Sequence, residues 1–274
     1  MPELPEVETV VRVLNKQIKN KTIKKLNIIY KKILQNTTED IICKTLEGNK
    51  ILNISRKSKF IVFEFEENVM ISHLRMEGKW YYYPNLETIP SKHTEVNIIF
   101  DDETQLMYFD TRKFGTIHLF KKDEYEKVNP IAKLGPEPFS SDMTPEVLYK
   151  KLQKRKTPIK SVLLDQSVIA GLGNIYVNEV LFECQIHPNK PSNEITLLQC
   201  QSIIEKSIFI LKKAIEYGGT TIKSFQSSAE NKGGYQQFLK VHFNENKPCK
   251  NCGNSVVKTF INGRGTYICV VCQK

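Results

Sequence analysis

The sequence predicts an α+β protein of more than one domain: a helix leading antiparallel strands, then a helical segment, then a β-hairpin closing on four cysteines. Three observations carry this. Apolar residues recur at helical spacing over the first turns, the period drops to two from about residue 50 to 120, and helical spacing returns after a Pro/Gly/Ser-rich stretch. Strands and helices segregated along the chain mark an α+β rather than an α/β arrangement. With 274 residues, two domains of ordinary size can each bury a core.

The first helix opens at Pro5, with Glu6 and Glu8 in its first turn and Val7, Val10, Val11, Leu14 and Ile18 on one face. Residues 60–65, 69–74, 96–100 and 116–120 alternate or run β-branched and aromatic, with turn residues such as Asp101 and Asp102 between them. Short strands at this spacing predict an antiparallel sandwich or barrel. Asn129 to Pro145, rich in Pro, Gly and Ser, reads as an interdomain linker. Helices are expected over 145–153, 175–182 and 194–217, the last with Asn193 as its N-cap and Gly218-Gly219 as its stop. Residues 220–234 are polar and Gly-rich and read as a loop.

Composition excludes several classes. Hydrophobic residues at 40% and charged residues at 26% describe a folded protein rather than a disordered one. No apolar run approaches the roughly 18 residues of a membrane span, and the N-terminal order is not basic then apolar as in a secretory leader, so a cytosolic location is expected. Lys and Arg number 40 against 30 Asp and Glu, a formal net charge of +10, which suits a polyanionic partner. The charge is clustered: residues 16–32 hold seven lysines and no acid, 150–160 hold six basic residues and no acid, and 240–274 hold six basic residues and one Glu. Three such runs in separate elements fit a basic groove along a phosphate backbone.

Four of the seven cysteines fall near the C-terminus as Cys249-x2-Cys252 and Cys269-x2-Cys272. In a reducing compartment this spacing is that of a four-thiolate zinc site, and four protein ligands leave no coordination position for chemistry, so one structural Zn2+ is expected. Cys43, Cys184 and Cys200 are scattered and read as small buried apolar residues.

Chemistry is concentrated at the start of the chain. Removal of Met1 would leave Pro2 as a secondary amine with a pKa near 8, about a tenth unprotonated at pH 7. Such an amine attacking a sugar's C1′ aldehyde carbon gives an iminium directly, with Glu3 and Glu6 alongside as acid/base groups. The turn 170–174, with glycines before a helix, lacks the context of a dinucleotide site but suits a single phosphate, with Asn174 adding a donor. Arg112 and Phe114, two apart where a strand meets a turn, are expected on one face, and with Met76 they suit a wedge into a base stack.

Taken in order, Pro2–Thr9, Arg56–Lys59, His73–Gly78, Asp110–Gly115, Leu134–Pro138, Gly171–Tyr176, Gly218–Lys223 and the four-cysteine hairpin resemble the formamidopyrimidine-DNA glycosylase family over the whole chain. The resemblance implies an N-terminal helix plus antiparallel β-sandwich over 1–130, a helix–two-turn–helix DNA-binding domain over 131–223, and a lesion-recognition loop with a zinc-finger β-hairpin over 224–274. It implies that Pro2 is the Schiff-base nucleophile, Glu3 the proton donor for base removal, Lys59 the general acid in β-elimination, and Arg264 the phosphate-gripping residue of δ-elimination. It further implies that Glu6 lies near the damaged base or sugar and that Met76, Arg112 and Phe114 fill the vacated space. His93, Lys156, Lys160 and Asn174 are implied as phosphate contacts, and Lys223 as part of the cover over an everted purine. The implied protein is a monomeric bacterial base-excision-repair enzyme acting on damaged double-stranded DNA, in the cytoplasm at the nucleoid, without membrane or organic cofactor. A zinc-ribbon DNA-binding protein without catalysis would explain the charge and cysteines but not the N-terminus. The related endonuclease-type branch, which prefers oxidised pyrimidines, opens differently after Pro-Glu, and Leu4–Val7 argues against it.

Overall fold

The computed structural model describes residues 1–220 and 233–274, in two compact units. The expectations placed on Lys223 and on the loop from 224 fall largely outside the described residues.

The first unit takes Met1–Ala132 and the described part of 218–234. Helix α1 (Leu4–Ile18) buries the apolar face read from the sequence, with Pro5 in its first turn. Strand β1 (Ile23–Ile28) and helix α2 (Glu39–Leu46) follow, then β2 (Asn53–Lys57), β3 (Phe60–Glu64), β4 (Asn68–His73), β5 (Lys79–Tyr83), β6 (Thr94–Phe100), β7 (Gln105–Phe109) and β8 (Thr116–Lys121). They form two four-stranded antiparallel sheets, ordered β1-β6-β7-β5 and β2-β3-β4-β8. Two separate sheets make a sandwich, not a barrel. Ile54, Phe63 and Met70 from one sheet and Val96, Ile98 and Tyr108 from the other share a core with the apolar face of α1. Strand β5 was hidden in the sequence because Trp80 and three consecutive tyrosines give no alternation.

The second unit takes Lys133–Tyr217 and Tyr235–Lys274. It contains α3 (Pro145–Leu152), α4 (Ile159–Leu163), α5 (Asn174–Glu183), α6 (Leu197–Glu216) and the hairpin β9 (Val257–Ile261) and β10 (Arg264–Ile268). Helix α6 starts three residues later than expected. Thr196, not Asn193, is the N-cap: its hydroxyl accepts from the Gln199 N–H at 3.2 Å while the Gln199 side chain accepts from the Thr196 N–H at 3.1 Å. The C-terminal residues pack with the helices, because Phe182 of α5 shares a core with Val241, Val256, Tyr267 and the buried cysteines. Glu179 of the same helix, buried, accepts the backbone N–H groups of Lys240, Val241 and His242 at 2.8–3.0 Å. The chain entering the hairpin is thus tied to α5.

The clustered cations are partly consumed inside the fold. Lys21, Lys24 and Lys31 pair with Asp102, Glu103 and Glu39. Arg155 pairs with Asp165 at 2.7 Å, and Lys151 donates to the carbonyls of Ser167 and Val168. A charge run in sequence therefore overstates the charge available to a polyanion.

Among the described residues, Glu95 is a buried acid whose carboxyl group has no hydrogen-bond partner. A bulge between Thr94 and Val96 turns Glu95 inward at 0% exposure, and neither carboxyl oxygen has a hydrogen bond. Burial, and then the charge of Asp110, push its pKa from 4.5 to about 7, opposed by Lys113. The folded chain holds a proton that the unfolded chain releases, so this group's contribution to stability declines as pH rises from 4.5 to about 7. Glu95→Gln is expected to raise the Tm by a few degrees at pH 8 and by little at pH 5. Thermal denaturation at the two pH values checks this, and an equal shift at both would contradict it.

Candidate functional site

In the first unit, the start of α1 gathers the implied catalytic groups. Pro2, Glu3 and Glu6 are buried, and Glu3 is the N-cap, its N–H donating to Glu6 Oε2 at 2.9 Å. The other oxygen of Glu6 accepts both the N–H and the hydroxyl of Thr220, at 2.8 and 3.0 Å. Gly219 allows this contact: its φ is +76°, and a Cβ there would lie 2.7 Å from Glu6 Oε1. Gly219 and Thr220 fall in the Gly218–Lys223 motif, but the sequence assigned neither a role at the site: Gly219 read as a helix stop and Thr220 as the start of a loop.

Lys59 stands on the two-residue turn between β2 and β3, where Ser58 has φ +55° and Lys57 pairs with Phe60. Arg56 braces the turn, donating to Ser58 O at 2.9 Å and to Glu8 of α1 at 3.0 Å. The lysine is 4% exposed. At the chain's amine on Met1, burial lowers the pKa, Glu3 and then Glu6 raise it, and Lys59 lowers it. These groups therefore act on one another electrostatically. His73, paired in register with Phe60, is held near a pKa of about 3 by burial and by Arg75, Lys59 and His118. It is a neutral imidazole whose Nδ1 accepts the Arg75 N–H at 2.9 Å.

Met76, Arg112 and Phe114 lie on two turns of the same unit. Asp110, 1% exposed, organises one of them by accepting the N–H groups of Arg112, Phe114 and Gly115 at 2.8–3.0 Å. The Arg112 guanidinium carbon sits 4.7 Å from the Phe114 ring centre, a cation–π pair, and Phe114 is 51% exposed. Arg112 and Phe114 are thus brought together, but by a capped turn rather than by strand alternation. The Asp110 N–H donates to His93 O at 3.1 Å, and Thr111 bonds to Glu77 beside Met76. His93 lines a cavity of about 500 Å³ with Glu77, Lys79, Tyr81 and Phe109.

In the second unit, Arg264 is exposed at the start of β10, just after the Asn262-Gly263 turn, with both turn residues at positive φ. Two side chains converge on the next carbonyl: Lys160 Nζ donates to Gly265 O at 2.8 Å and Asn174 Nδ2 at 3.0 Å. Lys160 also donates to Thr266 Oγ1 at 2.8 Å, and Asn262 Nδ2 donates to Ser161 Oγ at 2.9 Å. Lys160 is therefore corrected from a phosphate contact to an internal clamp, because it is 0% exposed and its ammonium is directed at the hairpin. Asn174 spends at least one amide hydrogen the same way, while Lys156 is exposed. The glycine turn before α5 is shaped by Gln166, which accepts the Gly171 N–H and donates to Leu164 and Leu172.

The sulfurs of Cys249, Cys252, Cys269 and Cys272 lie within 4.8 Å of one another, with Cys252–Cys269 at 3.4 Å and Cys249–Cys272 at 3.9 Å. Tetrahedral zinc with Zn–S bonds of about 2.3 Å puts its sulfurs about 3.8 Å apart, so the donor set and the spacing fit zinc. Gln273 joins the second knuckle to the α5 end, accepting the Cys269 N–H at 3.1 Å and donating to Ile186 O at 3.0 Å. Chelation should unfold the hairpin with loss of one zinc per chain. Metal analysis with limited proteolysis checks this, and a zinc-free chain as protease-resistant as the parent would contradict it.

Comparisons with known proteins agree over the whole length. Residues 1–117 match the formamidopyrimidine-DNA glycosylase N-terminal domain, 134–226 the formamidopyrimidine-DNA glycosylase H2TH domain, and 246–274 the zinc finger found in FPG and IleRS. A formamidopyrimidine-DNA glycosylase of Bacillus cereus is 45% identical over 274 residues, covering 100% of this chain and 99% of the relative. One from Bacillus licheniformis is 43% identical and fully covered. Among solved structures, wild-type Lactococcus lactis Fpg in complex with DNA containing N7-benzyl-Fapy-dG superposes with a TM-score of 0.93 at 38% identity, covering 100% of both chains. The same protein with DNA containing an abasic site gives 0.92.

Proposed function

Because the chain belongs to the formamidopyrimidine-DNA glycosylase family, we propose that it is a base-excision-repair enzyme. It removes oxidised purines, formamidopyrimidines and 8-oxoguanine, from double-stranded DNA and then cuts the strand as an AP lyase. The observation that carries this reading is the setting of the N-terminus: Pro2 is buried, and at the adjoining Met1 amine burial lowers the pKa with Glu3, Glu6 and Lys59 as electrostatic neighbours. Burial that lowers an amine's pKa favours its unprotonated, nucleophilic form.

In this mechanism the wedge of Met76, Arg112 and Phe114 enters the stack as the damaged base leaves it. Glu3 delivers a proton as the Pro2 nitrogen, freed by loss of Met1, bonds to C1′ and the C1′–base bond breaks. The nitrogen lone pair then breaks the C1′–O4′ bond, the ring oxygen takes a proton and stays on C4′ as a hydroxyl, and an iminium joins Pro2 to C1′. The iminium acidifies the C2′ proton, and its removal expels the 3′ phosphate, with Lys59 as the acid. A second elimination at C4′ expels the 5′ phosphate, with Arg264 holding the departing charge, and leaves a one-nucleotide gap. His93, Lys156 and the remaining donor of Asn174 bind backbone phosphates. Lys160 serves the same step at one remove, by holding the turn that carries Arg264. The protein works as a monomer in the bacterial cytoplasm; among the described residues no helix is long and apolar enough to cross a membrane.

Two substitutions test the assignment. Pro2→Gly is expected to lower excision of 8-oxoguanine from a duplex by about 100-fold or more, and turnover at the parent rate would refute the nucleophile. Arg264→Ala is expected to shift products from β,δ- to β-elimination and to weaken binding. An unchanged product ladder on a denaturing gel would refute that role. Faster turnover on an oxidised-thymine duplex than on 8-oxoguanine would move the chain to the pyrimidine branch.

A further inference from the structure

Tyr108 of β7 is 0% exposed, its ring tilted against Trp80 at 4.9 Å between centres. Its hydroxyl is buried without a hydrogen-bond partner among the described residues. For stability alone this is a poor choice, since a phenylalanine would fill nearly the same volume without stranding a polar atom. What the oxygen does is occupy space. A Cβ on Gly115 would lie 1.9 Å from Tyr108 Oη, 2.7 Å from Cζ and 2.9 Å from Cε1, so all three of its nearest atoms belong to this ring. A Cβ on Gly78 would also lie 1.9 Å from Oη and 2.7 Å from Cζ, with Leu74 O at 2.6 Å. Neither glycine has positive φ, so it is close approach that requires them: of the phenol alone at Gly115, and of the phenol together with Leu74 O at Gly78.

These two glycines close the two segments that carry the wedge. Gly78 ends the turn holding Met76, with its N–H on Leu74 O at 2.9 Å. Gly115 ends the turn holding Arg112 and Phe114, with its N–H on Asp110 Oδ2 at 2.8 Å. Besides the surface bond between Thr111 and Glu77, the buried phenol end of Tyr108 lies against both turns, its oxygen nearest to each.

We infer that Tyr108 is a positioning residue for base eversion: its hydroxyl is the spacer that sets the Met76 turn and the Arg112–Phe114 turn in register. The inference rests on the reading of Met76, Arg112 and Phe114 as the wedge. Shortening the spacer by one atom lets the turns settle differently while the core keeps its packing.

The test uses the full-length zinc-loaded protein and a duplex carrying 8-oxoguanine next to 2-aminopurine, whose fluorescence rises as the stack opens. Tyr108→Phe is expected to keep or raise the Tm, yet to lower both the fluorescence rise and duplex excision by about fivefold or more. Borohydride trapping on a single-stranded abasic site, which needs no wedge, should stay within about twofold of the parent. Gly115→Ala should give the same pattern where it folds, and Tyr108→Phe decides where it does not. Phe114→Ala is measured alongside. If it leaves fluorescence and excision unchanged, the wedge reading fails and the inference falls with it. If Phe114→Ala lowers both but Tyr108→Phe matches the parent in both, the spacer role alone is overturned.

Discussion

The carboxyl group of Glu6 is the contact on which the reactive end of the first unit depends. It takes the Glu3 N–H on one oxygen and two donors from Thr220 on the other, bridging the first turn of α1 and a residue 214 positions later. Burying a carboxyl group costs several kcal/mol unless its lone pairs are satisfied, and here three donors do so. The arrangement also makes Gly219 obligatory, since any side chain there would enter the space of the carboxyl oxygen. A group first read as a participant near the base is thus also a joint that holds Glu3, and with it the N-terminal turn.

The same device recurs wherever a functional side chain sits on a turn. Asp110 gathers three N–H groups to shape the Arg112–Phe114 turn, and Glu179 gathers three to tie the hairpin's approach to α5. Lys160 does the reverse, donating to a carbonyl and a hydroxyl beside Arg264. In each case a buried charged group satisfies backbone or hydroxyl atoms that would otherwise be unpaired, and so fixes a turn too short to hold itself. Zinc acts alike in the hairpin: it orders the knuckles, and Gln273 and Lys160 dock the ordered turn onto the helices. Reactive groups on loops braced in this way are preorganised without a long element beneath them.

Much of this was legible in the sequence, for identifiable reasons. The apolar face of α1, strands β3, β4, β6 and β8, and the cysteine spacing each follow a local period or spacing that needs no tertiary context. Strand β5 and the start of α6 did not, because aromatic residues on both faces hide one and a capping pair outweighed the nearer Asn193 at the other. The roles proposed for Pro2, Glu3, Lys59 and Arg264 were legible only through ordered motifs. Thr220, Tyr108 and the clamping role of Lys160 were not legible, since each depends on a partner at least 30 residues away or on the space between turns. Charge runs misled most, because a sequence does not show which lysines are already paired.

The central claim is that the chain's own N-terminal nitrogen bonds to the sugar of a damaged nucleotide. The most direct test is borohydride reduction of the protein with a labelled 8-oxoguanine:C duplex, followed by mass spectrometry of the adduct. A single DNA remnant joined to Pro2, with Met1 absent, is the predicted result. A protein with a free Pro2 and one bound zinc that yields no adduct, or one that traps on a lysine instead, would contradict the account.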